Sequence, residues 1–156
     1  MAEFFEWDCE KHSLWIDEMD GQHQAIVALM NSLYRLDGER ARKADLSNLL
    51  DTLREYTGRH FKDEEAYMAA TGYSRLDVHQ VIHRDLLIKM DEHIHRFKAG
   101  NGRLGADLIS YLRYWLTAHI TGVDRHYARH ALRGPPATEG ERERTRTALA
   151  RRGEVS

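Results

Sequence analysis

The chain has 156 residues, of which 42% are hydrophobic and 31% are charged, and it contains 2 prolines and 11 glycines. This balance is typical of a single globular domain and excludes collagen-like and largely disordered chains. The 23 Lys and Arg nearly cancel the 25 Asp and Glu, so the net charge of -2 gives no electrostatic case for a nucleic-acid partner or an anionic lipid surface.

An aromatic-rich arm and four helices are predicted along the chain. Residues 1–16 lack helical spacing and are predicted to form an arm that packs on the domain. Beyond them, apolar residues recur with the 3.6-residue period of a helix. The four predicted helices span about 17–36, 40–70, 76–98 and 104–132.

Capping and terminating residues indicate where these helices begin and end. Asp17 or Asp20 is expected to cap the first helix, and Asp45 offers an alternative start for the second. Gly38 and Gly72 are expected to end the first and second helices, because glycine readily leaves the helical conformation.

Strand signals are absent, so the fold class is predicted to be all-α. Four helices of roughly 20–30 residues with short links favour an up-down-up-down four-helix bundle with an N-terminal arm and a short C-terminal tail. We expect residues 1–133 to form the bundle and residues 134–156 to form a charged tail in which Glu and Arg alternate. For this tail, the alternatives are a solvated helix, a disordered segment and a segment that docks a partner.

Histidine is unusually abundant, with 10 residues against 1 cysteine, which favours imidazole as a metal ligand. All four predicted helices carry histidine on the face that points into the core. Two pairs of residues are spaced four apart, so that both members share a helix face. Buried polar side chains need partners, and a metal ion is one such partner. The residues on these faces are His23, His60, Glu64, His79, His83 and His119.

The individual motifs are weak, because a chain this rich in histidine produces pairs with such spacing by chance. The specific signal is the convergence of histidine and carboxylate from all four helices. The other histidines are interpreted as surface residues near helix ends or, with Cys9, as part of the arm. They are His12, His93, His95, His126 and His130.

Asp124 would complete a ligand set, but its spacing is irregular. It follows His119 by five residues, which in a regular α-helix turns the two side chains onto different faces. A π-type turn, which adds one residue to a helical turn, restores their alignment. We therefore predict a π-type turn within residues 119–124, and Gly122 is expected to ease the distortion.

Four segments of the chain resemble motifs of the hemerythrin family, in its bacterial single-domain form, the bacteriohemerythrins. The resemblance covers roughly residues 1–131, and Trp7 and Tyr73 also occupy positions where the family has such residues. The chain departs from the family pattern at Ser74, where proline is common, and at Leu86, where phenylalanine is common. The matching segments are Met19-Asp20-Gly21-Gln22-His23, residues 60–65 (HFKDEE), residues 79–83 (HQVIH) and residues 115–124 (WLTAHITGVD).

This resemblance implies a cofactor of two iron ions (Fe2+/Fe3+) bridged by an oxo or hydroxo group. The expected ligands are His79, His83 and His119 for one iron, His23 and His60 for the other, and Glu64 and Asp124 as bridges. The resemblance also implies an apolar pocket over the second iron, a role that is compatible with core packing. The expected pocket residues are Ile26, Phe61, Trp115, Leu116 and Ile120.

The function that the resemblance implies is reversible binding of dioxygen, for transport, storage or delivery. Five imidazoles, two bridging carboxylates and one bridging oxygen fill all but one position of two six-coordinate irons, which leaves a site for one small ligand. A low carboxylate content favours binding over oxidative catalysis, so no enzyme activity is expected. The alternatives are a sensor of dioxygen, nitric oxide or redox state that acts through an unidentified protein partner, and a di-iron peroxidase or oxidase.

The expected location is the cytoplasm, with no membrane partner. No apolar run approaches the ~20 residues of a membrane-spanning helix, and residues 1–6 lack the features of a secretory signal. The single cysteine, Cys9, cannot form an internal disulfide, which fits a reducing compartment.

Overall fold

The computed structural model describes residues 4–133, which form six α-helices and one π-helical segment. A π segment (His119–Asp124) joins α5 (Ala106–Ala118) directly to α6 (Arg125–Arg133), so that these three elements make one long helix. The predicted tail, residues 134–156, lies outside the described residues. The helices are α1 (Cys9–His12), α2 (Asp17–Gly38), α3 (Lys43–Ala70), α4 (Leu76–Ala99), α5 (Ala106–Ala118) and α6 (Arg125–Arg133).

The long helices confirm the predicted all-α bundle. Connections at residues 39–42, 71–75 and 100–105 reverse the chain between them, as the up-down-up-down order requires. Within residues 4–133, no helix is both long enough and apolar enough to cross a membrane. The interior is filled by almost fully buried apolar side chains, among them Met19, Met30, Leu50, Met68, Met90 and Leu112.

The start of α2 differs from the prediction. Neither expected aspartate caps the helix, because its N-cap residue is Ile16, which makes no side-chain capping bond. Asp20 instead accepts hydrogen bonds from the Leu14 amide (2.7 Å) and the Ser13 hydroxyl (2.5 Å). The carboxylate of Asp20 therefore holds the arm rather than the end of the helix.

The two glycines that were expected to end helices behave differently. Gly72 follows α3 with a φ of 69°, and the Tyr73 amide donates to the Met68 carbonyl (3.0 Å), as at a glycine-terminated helix. Gly38 is instead the last residue of α2, and the left-handed conformation falls on Arg40, with a φ of 58°. The turn after α2 thus places a non-glycine residue in the conformation that favours glycine.

The start of α3 lies between the two predicted positions, at Lys43. Its N-cap residue, Arg42, makes no side-chain capping bond. Asp45 lies in the first turn, where its Oδ2 is 3.2 Å from Nε of Arg42. A carboxylate in the first turn also interacts favourably with the helix dipole, so Asp45 stabilises this helix end without being its cap.

The arm packs on the bundle as predicted, but it contains one helical turn. Asp8 caps α1, with Oδ1 accepting hydrogen bonds from the amides of Glu10 (2.9 Å) and Lys11 (3.1 Å). The arm is tied to α2 by a reciprocal pair of hydrogen bonds. The Phe5 amide donates to Asn31 Oδ1 (2.8 Å), and Asn31 Nδ2 donates to the Phe5 carbonyl (3.0 Å).

Candidate metal centre

Seven buried polar side chains meet inside the bundle, and they are the seven that the sequence predicts as metal ligands. One lies on α2, two on α3, two on α4 and two on the π segment. None is more than 3% exposed. Because unpaired polar groups are costly in such surroundings, their convergence requires a chemical partner. They are His23, His60, Glu64, His79, His83, His119 and Asp124.

The π segment brings His119 and Asp124 onto one face, as predicted. His119 Nε2 lies 2.9 Å from Asp124 Oδ1, because the extra residue of the π turn compensates for the five-residue spacing. Gly122 lies in this segment, but a Cβ built there meets nothing within 4 Å and its φ is not positive. The π segment therefore has no steric requirement for glycine at this position.

Glu64 stands between two groups of histidines. Its Oε1 lies 3.1 Å from His83 Nε2 and 3.5 Å from His60 Nε2. Its Oε2 lies 3.6 Å from His23 Nε2. One carboxylate therefore reaches histidines from three different helices.

Asp124, like Glu64, contacts histidines through both of its carboxylate oxygens. Its Oδ1 lies 3.1 Å from His79 Nε2 and its Oδ2 lies 3.2 Å from His23 Nε2. The ligand atoms of the centre form two sets, and within each set the atoms lie within 4.8 Å of one another. One set contains three histidines and the other contains two. We call these the three-histidine group (His79, His83 and His119) and the two-histidine group (His23 and His60).

Several atoms of the centre have no hydrogen-bond partner, which shows that the residues suit a metal ion. They include His23 Nε2, His60 Nε2, Glu64 Oε1 and Asp124 Oδ2, all of them buried. Each buried polar atom left unpaired costs about 1–3 kcal/mol. Cations placed among these atoms would satisfy them together. A donor set of imidazole and carboxylate suits iron, manganese or zinc.

The histidines also determine the charge of the two carboxylates. Burial acts to raise the pKa of Glu64, as does the nearby Asp124, but the surrounding imidazoles hold it below its usual value. Burial likewise acts to raise the pKa of Asp124, and His119 with two further histidines holds it well below its usual range. Both carboxylates are therefore ionised, which is the form that binds a metal.

His23 and His60 respond in opposite directions to their surroundings. Burial acts to lower the pKa of His23, but the nearby carboxylates of Asp124 and Glu64 raise it to about 9. Burial lowers the pKa of His60 to about 4. In the metal-free protein, a proton on His23 therefore supplies part of the positive charge that the carboxylates need.

The His60 ring is oriented by a residue to which the sequence analysis assigned no role. Gln22 Oε1 lies 2.5 Å from His60 Nδ1, and Gln22 Nε2 donates to Asp63 Oδ2 (2.9 Å). Because the amide nitrogen is engaged with Asp63, the amide oxygen faces His60 and accepts its Nδ1 hydrogen. The Nε2 atom of His60 is thereby left with its lone pair towards the centre.

Two more residues support the ligands and were also missed. Glu65 accepts a hydrogen bond from His83 Nδ1 (2.9 Å), and the Tyr127 hydroxyl donates to Glu64 Oε2 (2.6 Å). The available signal was position, since Gln22 and Glu65 each adjoin a ligand in the chain. Their pairing depends on how the helices are rotated against one another, which apolar periodicity does not specify.

The five predicted pocket residues are all buried, and two of them lie against the ligand rings. Phe61 stacks on His83, with ring centroids 3.8 Å apart and planes 3° from parallel. Trp115 lies edge-on to Phe61 (5.9 Å) and 6.2 Å from His119. The Phe61 ring also lies 5.8 Å from that of His60, so it borders both histidine groups, whereas Trp115 lies beside the three-histidine group. The remaining three, at most 1% exposed, are Ile26, Leu116 and Ile120.

The other histidines among residues 4–133 lie outside these two ligand groups. His12 is buried in the arm, where its Nδ1 accepts a hydrogen bond from the Asp8 amide (2.9 Å). His130 Nε2 donates to the Thr71 carbonyl (2.9 Å). His12 and His130 are therefore engaged in local structure. The exposed or half-buried remainder are His93, His95 and His126.

Known proteins share the sequence pattern of this chain. A family model described as "Hemerythrin HHE cation binding domain" matches residues 15–131. A bacteriohemerythrin of Stenotrophomonas maltophilia (strain R551-3) is 32% identical over 116 residues, which are 74% of this chain and 74% of that protein. A myohemerythrin of Riftia pachyptila is 31% identical over 121 residues, which are 78% of this chain and 88% of that protein.

The fold is also shared with a solved structure. A crystal structure of wild-type hemerythrin matches with a TM-score of 0.73 at 27% sequence identity, covering 80% of this chain and 95% of that chain. The segment that the family model matches contains all seven residues of the buried centre. The chain therefore belongs to the hemerythrin family.

Proposed function

We propose that this protein binds dioxygen reversibly at a non-haem di-iron centre. The irons would be held by the three-histidine and two-histidine groups, with Glu64 and Asp124 as bridges. The observation that carries the proposal is the buried set of five imidazoles and two carboxylates, in which each carboxylate contacts both groups. Membership of the hemerythrin family supports iron as the metal.

Iron held by these residues would supply an open coordination position and the electrons with which dioxygen is bound. The two-histidine group offers one imidazole fewer than the other group, so the protein leaves the open position there. Neutral imidazoles outnumber carboxylates, unlike in the di-iron sites with about four carboxylates and two histidines. This donor set stabilises the ferrous state, which supports a binding protein rather than an enzyme.

The apolar side chains around the centre are proposed to exclude water and to line the pocket that admits dioxygen. Phe61 and Trp115 lie against the ligand rings, and both are at most 6% exposed. Exclusion of water would slow the irreversible oxidation of Fe(II) to Fe(III). The further proposed lining residues are Ile26, Leu116 and Ile120, which are buried in the same bundle core.

The test is a visible absorption spectrum of the Fe(II)-loaded protein, recorded without oxygen, then in air, and then after oxygen is removed. We expect a band that appears in air and disappears on deoxygenation. His60→Gln, which removes one ligand of the two-histidine group, is expected to abolish the band. His95→Gln is the matched control, because His95 is an exposed histidine outside the two ligand groups.

A band that persists after oxygen is removed would contradict reversible binding and would favour a redox sensor or an oxidase. Absence of any band from protein that holds two irons would also overturn the proposal. Iron content is therefore measured on the same samples, so that failure to load is distinguished from failure to bind dioxygen.

A further inference from the structure

One histidine in each ligand group is bonded to an acceptor outside the centre, and the two acceptors differ in charge. In the three-histidine group, His83 Nδ1 is bonded to the Glu65 carboxylate (2.9 Å). In the two-histidine group, His60 Nδ1 is bonded to the neutral amide of Gln22 (2.5 Å). We propose that this difference makes the two metal positions electronically unequal, with stronger electron donation at the three-histidine group. The inference rests on the proposed di-iron function.

The Glu65 carboxylate strengthens His83 as a donor. A carboxylate that accepts an imidazole N–H draws the hydrogen from the ring and increases the basicity of the other nitrogen. The side chain of Glu65 is 25% exposed, whereas that of His83 is 2% exposed. The carboxylate therefore lies at the edge of the core and contacts a ring that is buried within it. A metal bound to His83 is thereby held more tightly and oxidised more easily.

Gln22 orients His60 without adding a full negative charge. Its amide accepts the same kind of hydrogen bond, but the nearest carboxylate on this path, that of Asp63, lies beyond the amide. Gln22 therefore sets the direction of the ring while leaving it a weaker donor. A metal held by the two-histidine group, where fewer protein ligands leave room for dioxygen, would consequently be the less easily oxidised of the two.

Glu65 and Gln22 are thus positioning residues that act through His83 and His60. The proposed inequality assigns the greater ease of oxidation to the metal with more protein ligands. A metal that bound dioxygen at the two-histidine group would have the weaker imidazole donor, which favours release of dioxygen unchanged. Moving the carboxylate from one group to the other should reverse this order.

The experiment exchanges the two acceptors in matched variants, Glu65→Gln and Gln22→Glu. Stepwise affinity for Zn(II) is measured by chelator competition, which requires neither iron nor dioxygen. We expect Glu65→Gln to weaken one of the two binding steps by roughly 10–100-fold and Gln22→Glu to strengthen the other. In the iron-loaded protein, Glu65→Gln should raise the midpoint potential and Gln22→Glu should lower it.

Two further variants separate the effect of these hydrogen-bond acceptors from the effect of changing the overall charge of the protein. Glu55→Gln removes the same charge from an exposed position on the same helix, and it should leave both Zn(II) steps unchanged. The double variant Gln22→Glu/Glu65→Gln keeps the net charge of the wild type. We expect it to show both changes together, one step weakened and the other strengthened.

The inference is overturned if Glu65→Gln behaves like Glu55→Gln, or if the double variant matches the wild type at both steps. Circular dichroism of the metal-free protein shows whether Glu65→Gln folds. If it does not, Gln22→Glu alone tests the inference, which is overturned if this variant does not strengthen a Zn(II) step and does not lower the midpoint potential. The proposed function fails separately, when wild-type protein does not hold two irons or does not bind dioxygen reversibly.

Discussion

The Tyr127 hydroxyl donates a 2.6 Å hydrogen bond to Oε2 of Glu64 in the core of the bundle. Tyr127 lies on α6 and Glu64 on α3, so this bond joins two helices at the metal centre. Burial raises the pKa of Tyr127 well above its usual value, and the neighbouring carboxylates raise it further. The tyrosine therefore keeps its hydroxyl hydrogen and remains a donor at neutral pH.

Tyr127→Phe is expected to lower the free energy of unfolding of the metal-free protein by about 1–3 kcal/mol. The change leaves Glu64 Oε2 without its donor, while the ring keeps its packing against Tyr67 and Tyr73. Chemical denaturation measures the difference. Tyr114→Phe is the control, because Tyr114 is 70% exposed. If both variants are as stable as the wild type, the hydrogen bond has no stabilising role.

Gly122→Ala is expected to leave the π segment and its metal binding intact. The added Cβ meets nothing within 4 Å, and alanine is about 0.5–1 kcal/mol more favourable than glycine inside a helix. The metal-free variant should therefore unfold at the same temperature as the wild type or at a higher one. Loss of metal from this variant would instead show that the π segment needs the backbone freedom of glycine.

A useful comparison for Gly122→Ala is Gly58→Ala on α3. There the new Cβ would come within 2.9 Å of Nη1 of Arg54, so that side chain must move. We expect a smaller gain in unfolding temperature at position 58 than at position 122. The reverse order would contradict the steric argument.

Metal binding is expected to displace a proton from His23 at neutral pH. The pKa of this residue is about 9, so the metal-free protein carries the proton, whereas a metal-bound imidazole nitrogen does not. Apparent metal affinity should therefore rise with pH up to about 9. Calorimetric titration with Zn(II) in two buffers of different ionisation enthalpy measures the proton released. Equal heats in the two buffers would contradict the prediction.

Acid is expected to destabilise the metal-free protein through His60. Its pKa is lowered from 6.5 to about 4, so below 6.5 the unfolded chain binds a proton that the folded protein does not. The stability that His60 contributes is therefore complete above pH 6.5 and is lost as the pH falls towards 4. The lowered pKa values of Glu64 and Asp124 act in the same direction at lower pH.

His23 has the opposite sign. Its raised pKa contributes stability below pH 6.5 that is lost as the pH rises towards 9. Between them, His60 and His23 place the maximum stability of the metal-free protein near pH 6.5, with a fall on both the acid and the alkaline side. Thermal unfolding across the pH range measures this profile. His95→Gln should leave this profile unchanged, because His95 is exposed. A profile that does not fall on the acid side would contradict the assignment for His60.

Predictions that depend on spacing along one helix agree with the structure. Apolar periodicity places the long helices within a few residues of their observed ends, and the five-residue interval between His119 and Asp124 predicts the π segment. The capping prediction at the start of α2 is wrong, because it depends on a second element. Aspartate is a residue type that often caps helices, but the Asp20 carboxylate bonds to Ser13 and Leu14 of the arm instead. Which of these contacts it makes depends on the path of residues 13–16 rather than on α2 itself.

The supporting contacts of the centre show the same limit. Gln22 and Glu65 are polar neighbours of ligands, but their partners lie on other helices. Whether each side chain meets a histidine depends on the rotation of α2 and α4 against α3. The apolar pattern sets that rotation only to within the width of a hydrophobic face, which is broader than a hydrogen bond permits.

Asp20→Ala is expected to release the arm from the bundle while leaving the metal centre in place. Asp20 accepts from the Leu14 amide and the Ser13 hydroxyl, and Ser13 Oγ in turn accepts from the Trp15 amide (3.0 Å). This chain of bonds holds Trp15 at a φ of 59°, a conformation that is unfavourable for a bulky residue. Without it, Trp15 should relax.

The expected results for Asp20→Ala are a shift in tryptophan emission, faster proteolysis within the arm, and a loss of about 1.5–3 kcal/mol in the free energy of unfolding. Glu18→Ala is the control, because Glu18 lies on the same helix and is exposed. Affinity for Zn(II) should be unchanged, since Asp20 is not one of the ligand residues. If the emission and cleavage of Asp20→Ala match those of Glu18→Ala, the arm is held mainly by its packed aromatic side chains instead.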